Sequence, residues 1–102
     1  MPRTGDTTPW GTADSITKVG LGIEFVTTPS HGGYYVPNDQ LRHIPTARQA
    51  WAKGWSGSVN WYEEDCCWAA VAEAFPELFP DGARENARLT LAHYFEPKEV
   101  AV

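Results

Sequence analysis

Two short segments of the sequence carry the side chains best suited to chemistry. Residues 30–33 read SHGG and place the imidazole of His31 beside two glycines, which let a backbone approach a ligand or another segment closely. Residues 61–66 read WYEEDC and place three carboxylic acids before a thiol. Together the two segments offer a general base, carboxylates and a nucleophile, the groups that acid–base and thiol catalysis require.

One hypothesis therefore makes the chain a hydrolase or transferase. In it His31 is the general base, Asp65 orients the imidazole and Cys66 is the nucleophile, because a thiol beside a histidine near a helix N-terminus is activated. No signature of a thiol hydrolase surrounds Cys66. In the structural alternative, which we favour, His31 bonds the carbonyls of its own turn and Asp65 bonds backbone amides or an arginine.

The sequence carries no motif for a metal or a cofactor. Cys66 and Cys67 are adjacent, so they cannot close a loop as an ordinary disulfide, and no Cys-x-x-Cys or His/Cys spacing typical of zinc is present. Residues 20–22 (GLG) form a turn and not a phosphate loop, since no Lys-Ser/Thr follows them. We expect reduced thiols, no cofactor and no metal.

Length and composition indicate one small globular domain. The chain has 102 residues and a mass of 11.3 kDa, with 42% apolar and 21% charged residues. No apolar run approaches the ~20 residues that span a bilayer. The N-terminus lacks the basic-then-apolar order of a signal peptide, so we expect a cytoplasmic protein with no membrane partner.

The net charge of −5 is concentrated in the second half of the chain. Residues 1–57 hold five cations and four acids, which gives +1, whereas residues 58–102 hold three cations and nine acids, which gives −6. That half would repel a phosphate backbone, so direct nucleic-acid binding is disfavoured. A basic protein partner would be steered toward it, although acidic residues also simply keep small proteins soluble.

The pattern of apolar residues and turn formers predicts an α+β fold. We expect a flexible lead-in over residues 1–9, a single domain over residues 10–96 and a frayed tail over residues 97–102. Runs ending at Gly20, spanning residues 23–28 and spanning residues 34–36 predict three strands in an antiparallel meander. This small meander is followed by, and packed against, three helices.

The three predicted helices follow the capping and breaking residues. Pro45 suits the start of a helix that stops at Gly54, and a last helix is predicted from about residue 82 to 95. Between them, Asn60 followed by Glu63 resembles a capping box and predicts a long helix to about residue 75, with acids in its first turns.

An aromatic stretch from Trp51 to Trp61 forms either an exposed patch or part of the core. The helix and this stretch together predict a protein-binding face made of Glu63, Glu64, Asp65, Glu73, Trp51 and Trp55. The residues that we expect to carry the local structure are Ser30, His31, Gly32, Gly33, Trp61 and Trp68.

Residues 28–34 (TPSHGGY) and residues 61–69 (WYEEDCCWA) together resemble an uncharacterised domain family found on plasmids, phages and integrative elements. Residues 10–13, 22–26 and 74–76 are also similar to it, so the resemblance covers roughly residues 9–80. The family has no assigned catalytic residues, and none is carried over. Small acidic proteins of mobile elements often resemble inhibitors of host defence, such as anti-CRISPR and antirestriction proteins.

The resemblance and the charge distribution together favour a non-enzymatic function. We expect a small protein-binding inhibitor from a mobile element that blocks a nucleic-acid-processing complex, such as a CRISPR or restriction complex, by protein–protein contact. The thiol enzyme is the first alternative. The second is a self-associating accessory domain, because an exposed tryptophan face would suit a homodimer.

Overall fold

An antiparallel sheet forms the centre of the fold, with helices on one face and an N-terminal hairpin on the other. The computed structural model describes residues 2–94. The strands are β1 (Thr7–Thr8), β2 (Gly11–Thr12), β3 (Ser15–Gly20), β4 (Ile23–Thr27), β5 (Gly32–Tyr35) and β6 (Trp61–Glu63). The helices are α1 (Thr46–Ser56), α2 (Trp68–Ala74) and α3 (Ala83–Tyr94), with short 3₁₀ turns at Asn38–His43 and Pro76–Leu78.

The main sheet has the strand order β3-β4-β5-β6, and every neighbouring pair is antiparallel. The predicted β3–β4 hairpin is confirmed, and its turn uses positive φ angles at Gly20, Leu21 and Gly22. Leu21 adopts φ 57° as a non-glycine residue at the tip of this turn.

The α+β class is confirmed, but the three-stranded meander is wrong because a fourth strand, β6, pairs with β5. The predicted long helix from Asn60 is wrong over its first half, since residues 61–63 are extended and α2 begins only at Trp68. Trp and Tyr suit a pleated strand. Tyr62 is fully buried beneath the helices, and pairing with Tyr34 satisfies its backbone there.

The core lies between the sheet and helices α1 and α2. Its largest fully buried side chains include Tyr62, Ile23, Ile44 and Val71. A second, smaller cluster joins α2 to α3 through the residues Ala69, Ala72, Ala87 and Leu91. Small alanine side chains let these two helix backbones approach closely.

The predicted ends of the first and last helices agree closely with those of α1 and α3. Pro45 precedes α1, which runs two residues beyond the predicted stop and ends at Gly57 in the left-handed conformation, φ 88°. α3 confirms the last predicted helix up to Tyr94. Within residues 2–94, no helix has the length and apolar character needed to cross a membrane.

The N-terminal segment forms its own hairpin, which Thr28, at the end of β4, ties to the main sheet by donating its hydroxyl to the carbonyl of Trp10 over 3.1 Å. The amide of Gly5 donates to the carbonyl of Ala13 over 2.8 Å, and that of Ala13 donates to Asp6 over 2.9 Å. Strand β1 thus lies within the segment predicted as a lead-in. The predicted tail, residues 97–102, lies outside the described residues.

Candidate functional site

Pairing of β5 with β6 brings the SHGG and WYEEDC segments into contact. Gly33 lies opposite Glu63 in the ladder, and the amide of Glu64 donates to the carbonyl of Gly32 over 3.0 Å. His31 therefore stands just before β5, and Asp65 lies just beyond the end of β6. Both side chains sit at the same end of the sheet.

A cluster of three possible ligand side chains forms at this end: His31, Glu63 and Asp65, which we call the HED cluster. One imidazole nitrogen and one oxygen from each carboxylate lie within 4.8 Å of one another. His31 and Asp65 are exposed, whereas Glu63 is only 6% exposed. The cluster is thus open to solvent on one side and anchored in the protein on the other.

Glu63 is held by the turn that follows β6. Its Oε1 accepts hydrogen bonds from the backbone amides of Asp65 and Cys66, over 2.9 and 3.1 Å. The same oxygen lies 3.5 Å from the sulfur of Cys66. Its Oε2 accepts no hydrogen bond from residues 2–94. Burial raises the pKa of Glu63 above its ordinary value, and the two amide donors oppose that rise.

The two thiols are buried and protonated at neutral pH. Cys66 and Cys67 are 1% and 0% exposed, and their sulfurs lie 3.7 Å apart. Burial raises the pKa of Cys66, and it raises the pKa of Cys67 to about 11. The sulfur of Cys66 contacts Glu63 and Cys67. This environment does not favour a nucleophilic thiolate.

Hydrogen bonds from Thr28 and Ser30 hold the turn before β5, and the imidazole of His31 takes no part in them. Thr28 donates from its backbone amide and its hydroxyl to the carbonyl of His31, over 2.7 and 2.8 Å. Ser30 donates to the carbonyl of Trp10 over 2.9 Å. The imidazole of His31 makes no hydrogen bond with residues 2–94, so it is available to a ligand.

The six residues predicted as a protein-binding face lie on several different elements and differ in exposure. Glu63 is buried, and Glu73 forms a bidentate ion pair with Arg48 at 2.8 and 3.1 Å. Trp51 packs partly buried between both core clusters, whereas Trp55 is 53% exposed. Glu64 is half-buried and Asp65 is exposed.

Trp61 and Trp68 are half-buried and pack against other aromatic side chains. Trp61 packs edge-on against Trp10, with ring centroids 5.5 Å apart, and it also contacts Tyr35 at 5.1 Å. Trp68 packs against Phe79 at 6.3 Å. Both tryptophans thus position elements around the site.

Sequence reasoning did not single out Glu24, which is 4% exposed on the inner part of β4. No donor within residues 2–94 bonds its Oε1. The alternation of side chains along β4 indicates that Glu24 is buried, because Glu24 shares a face of the strand with Val26, which is fully buried.

Comparison with known proteins identifies a family without an assigned activity. No curated protein and no solved structure matches the chain significantly. The sequence profile of a domain of unknown function (DUF7007) matches residues 3–100, and the chain therefore belongs to that family.

Proposed function

We propose that the chain is a non-enzymatic protein-binding module that captures a basic partner through the acidic end of its sheet. The acidic end is the end of the sheet at which strands β4 and β6 finish. Its acidic residues are Asp14, Glu63, Glu64 and Asp65. Asp14 belongs there because its amide donates to Thr27 at the end of β4, over 2.8 Å.

The observation that carries the proposal is the lack of charge compensation at this end. Glu64 and Asp65 form no ion pair with any of residues 2–94. By contrast, Glu73 and Glu85 are neutralised by Arg48 and Arg88. Uncompensated carboxylates steer a basic surface toward themselves and repel nucleic acid.

Trp55 supplies an exposed apolar side chain on the helix that packs against β6. It is 53% exposed near the end of α1. The next residue, Ser56, ties α1 to β6 by donating to the carbonyl of Trp61 over 2.9 Å. Because tryptophan is enriched at binding hot spots, an exposed indole next to β6 supports a protein contact.

The partner class that we propose is a nucleic-acid-processing defence complex, such as a CRISPR or restriction complex, in the host of a mobile element. Such complexes bind phosphates and so carry the basic surfaces that an acidic module would block. The resemblance of residues 28–34 and 61–69 to a mobile-element family supports this choice.

The experiment compares two double variants in affinity capture from a bacterial host, at low and at high salt. E64Q/D65N removes two uncompensated charges, and the control E73Q/E85Q removes two paired ones. We expect wild type and the control to retain a nucleic-acid-processing complex at low salt and E64Q/D65N to lose it. Equal retention by both variants, or no such complex with wild type, would refute the proposal.

A further inference from the structure

The HED cluster combines the donor types that transition-metal ions bind. It joins one imidazole from His31 to two carboxylates from Glu63 and Asp65, all within 4.8 Å. Zn²⁺ and related ions take histidine nitrogen and carboxylate oxygen at about 2.0–2.2 Å. The three residues come from two strand ends that the β5–β6 ladder holds together, so the fold itself creates the cluster.

A second and independent observation comes from the bonding of Glu63. This residue is 6% exposed and its Oε1 is occupied by the turn, whereas its Oε2 receives no hydrogen bond from residues 2–94 and is not fully enclosed, so a ligand can reach it. Holding a largely buried carboxylate in place without a cation partner costs free energy. The described residues supply no ion pair to Glu63, His31 or Asp65, so a bound cation would compensate the buried charge.

We infer that His31, Glu63 and Asp65 form a binding site for a divalent first-row transition-metal ion, for which Zn²⁺ is the probe. Three protein ligands leave at least one coordination position open to water. The inference goes beyond the proposed function, because it concerns a ligand of the isolated chain and needs no protein partner.

Binding a metal ion requires the three ligand atoms of the HED cluster to move only slightly closer together. Tetrahedral ligands around Zn²⁺ lie about 3.4 Å from one another. The present spacing of up to 4.8 Å can shrink by rotation of the two exposed side chains, His31 and Asp65. Glu63 stays fixed, because the amides of Asp65 and Cys66 bind its Oε1 and orient the carboxylate, as outer-shell donors do in metal sites.

Donor chemistry selects the class of ion. An imidazole together with carboxylates suits Zn²⁺, Mn²⁺ or Fe²⁺ better than Mg²⁺ or Ca²⁺, which prefer oxygen ligands alone. Cys66 and Cys67 are buried beside Glu63, and neither thiol belongs to the HED cluster. The site is therefore a nitrogen–oxygen site without sulfur.

The test is calorimetric titration of tag-free, metal-free protein with Zn²⁺. We expect one ion per chain and a loss of affinity of at least about tenfold in H31A and in D65N. The matched controls are H43Q, which removes another exposed histidine, and E77Q, which removes another exposed acid. Both controls should bind as wild type does, and circular dichroism should show that all variants are folded.

A spectroscopic measurement separates this site from binding by the cysteines. Co²⁺ bound to the wild-type chain should show ligand-field bands without a sulfur-to-cobalt charge-transfer band. A charge-transfer band, unchanged Zn²⁺ affinity in H31A and D65N, or equal losses in H43Q would each overturn the inference. Weaker capture of the partner by E64Q together with intact Zn²⁺ affinity in the same variant would show that the two functions are separable.

Discussion

The indole of Trp10 lies directly over the α-carbon of Gly33. A Cβ on Gly33 would lie 2.4 Å from Cη2 of Trp10 and 2.5 Å from the carbonyl oxygen of Tyr62. The same indole packs edge-on against Trp61 of the neighbouring strand. The absence of a side chain at Gly33 therefore allows the N-terminal hairpin to pack closely against strands β5 and β6, which position the HED cluster.

We predict that Gly33→Ala strongly destabilises the fold. The backbone oxygen of Tyr62 cannot move aside, so overpacking should lower the free energy of unfolding by about 1–3 kcal/mol. Gly54→Ala is the matched control, because a Cβ there meets nothing within 4 Å and the residue lies inside α1. It should raise stability by about 0.5–1 kcal/mol.

Urea unfolding followed by tryptophan fluorescence measures both variants. If Gly33→Ala unfolds at the same urea concentration as wild type, the contact of Trp10 with Gly33 does not hold in solution. A destabilised Gly54→Ala would instead place that residue outside a regular helix.

The turn and capping residues predicted much of the fold, and tertiary pairing decided the rest. Gly20 and Gly22 located the β3–β4 hairpin, and Pro45 located the start of α1. Strand β6 escaped prediction because three residues are too few to distinguish strand alternation from a helical period. Its extended state depends on β5, a partner far away in the sequence.

The same error explains why the HED cluster was only half anticipated. The thiol-enzyme hypothesis paired His31 with Asp65, whereas the sequence pattern assigned Glu63 to the first turn of a helix. Strand β6 ends at Glu63, and the turn that follows it places Asp65 close to the Glu63 carboxylate and to His31. On a helix that began at Asn60, Glu63 and Asp65 would point in different directions.

The ion pair between Arg48 and Glu73 should contribute measurably to stability. It is bidentate and joins α1 to α2, and its side chains are 16% and 41% exposed. E73Q should lower the free energy of unfolding by about 0.5–1 kcal/mol at low salt and by less at 1 M NaCl. E85Q, which breaks the fully exposed pair with Arg88, should have a smaller effect.

Thermal and urea unfolding at two salt concentrations test this difference. An E73Q effect that is independent of salt would show that the pair acts through packing. Equal losses in E73Q and E85Q would contradict the conclusion that partial burial strengthens the Arg48 pair.

Cys67 should make the fold sensitive to alkaline pH. Burial raises its pKa from 9.0 to about 11, so the folded chain holds the thiol proton more tightly than the unfolded chain does. The resulting stabilisation is fully present below pH 9.0 and is lost as the pH rises to about 11. Two pKa units correspond to about 3 kcal/mol.

The pH effect is measured by urea unfolding under reducing conditions at pH 8 and at pH 10.5. Wild type should lose more stability between these values than Cys67→Ala, because the variant lacks the Cys67 thiol and also the interaction through which that thiol adds to the raised pKa of Cys66, which is mainly due to burial. Parallel pH profiles would mean that the Cys67 pKa is close to that of a solvated thiol.

The buried carboxylate of Glu24 should lower the stability of the fold. Its side chain is 4% exposed, and no donor within residues 2–94 bonds its Oε1. A buried, unsatisfied acceptor costs about 1–3 kcal/mol, so Glu24→Met, which removes the polar atoms at similar volume, should raise the free energy of unfolding by about that amount. The matched control is Glu77→Met, an exposed position that should change little. Equilibrium urea unfolding at neutral pH measures the stability of both variants. If Glu24→Met is less stable than wild type, the Glu24 carboxylate has hydrogen-bond partners in solution and stabilises the fold.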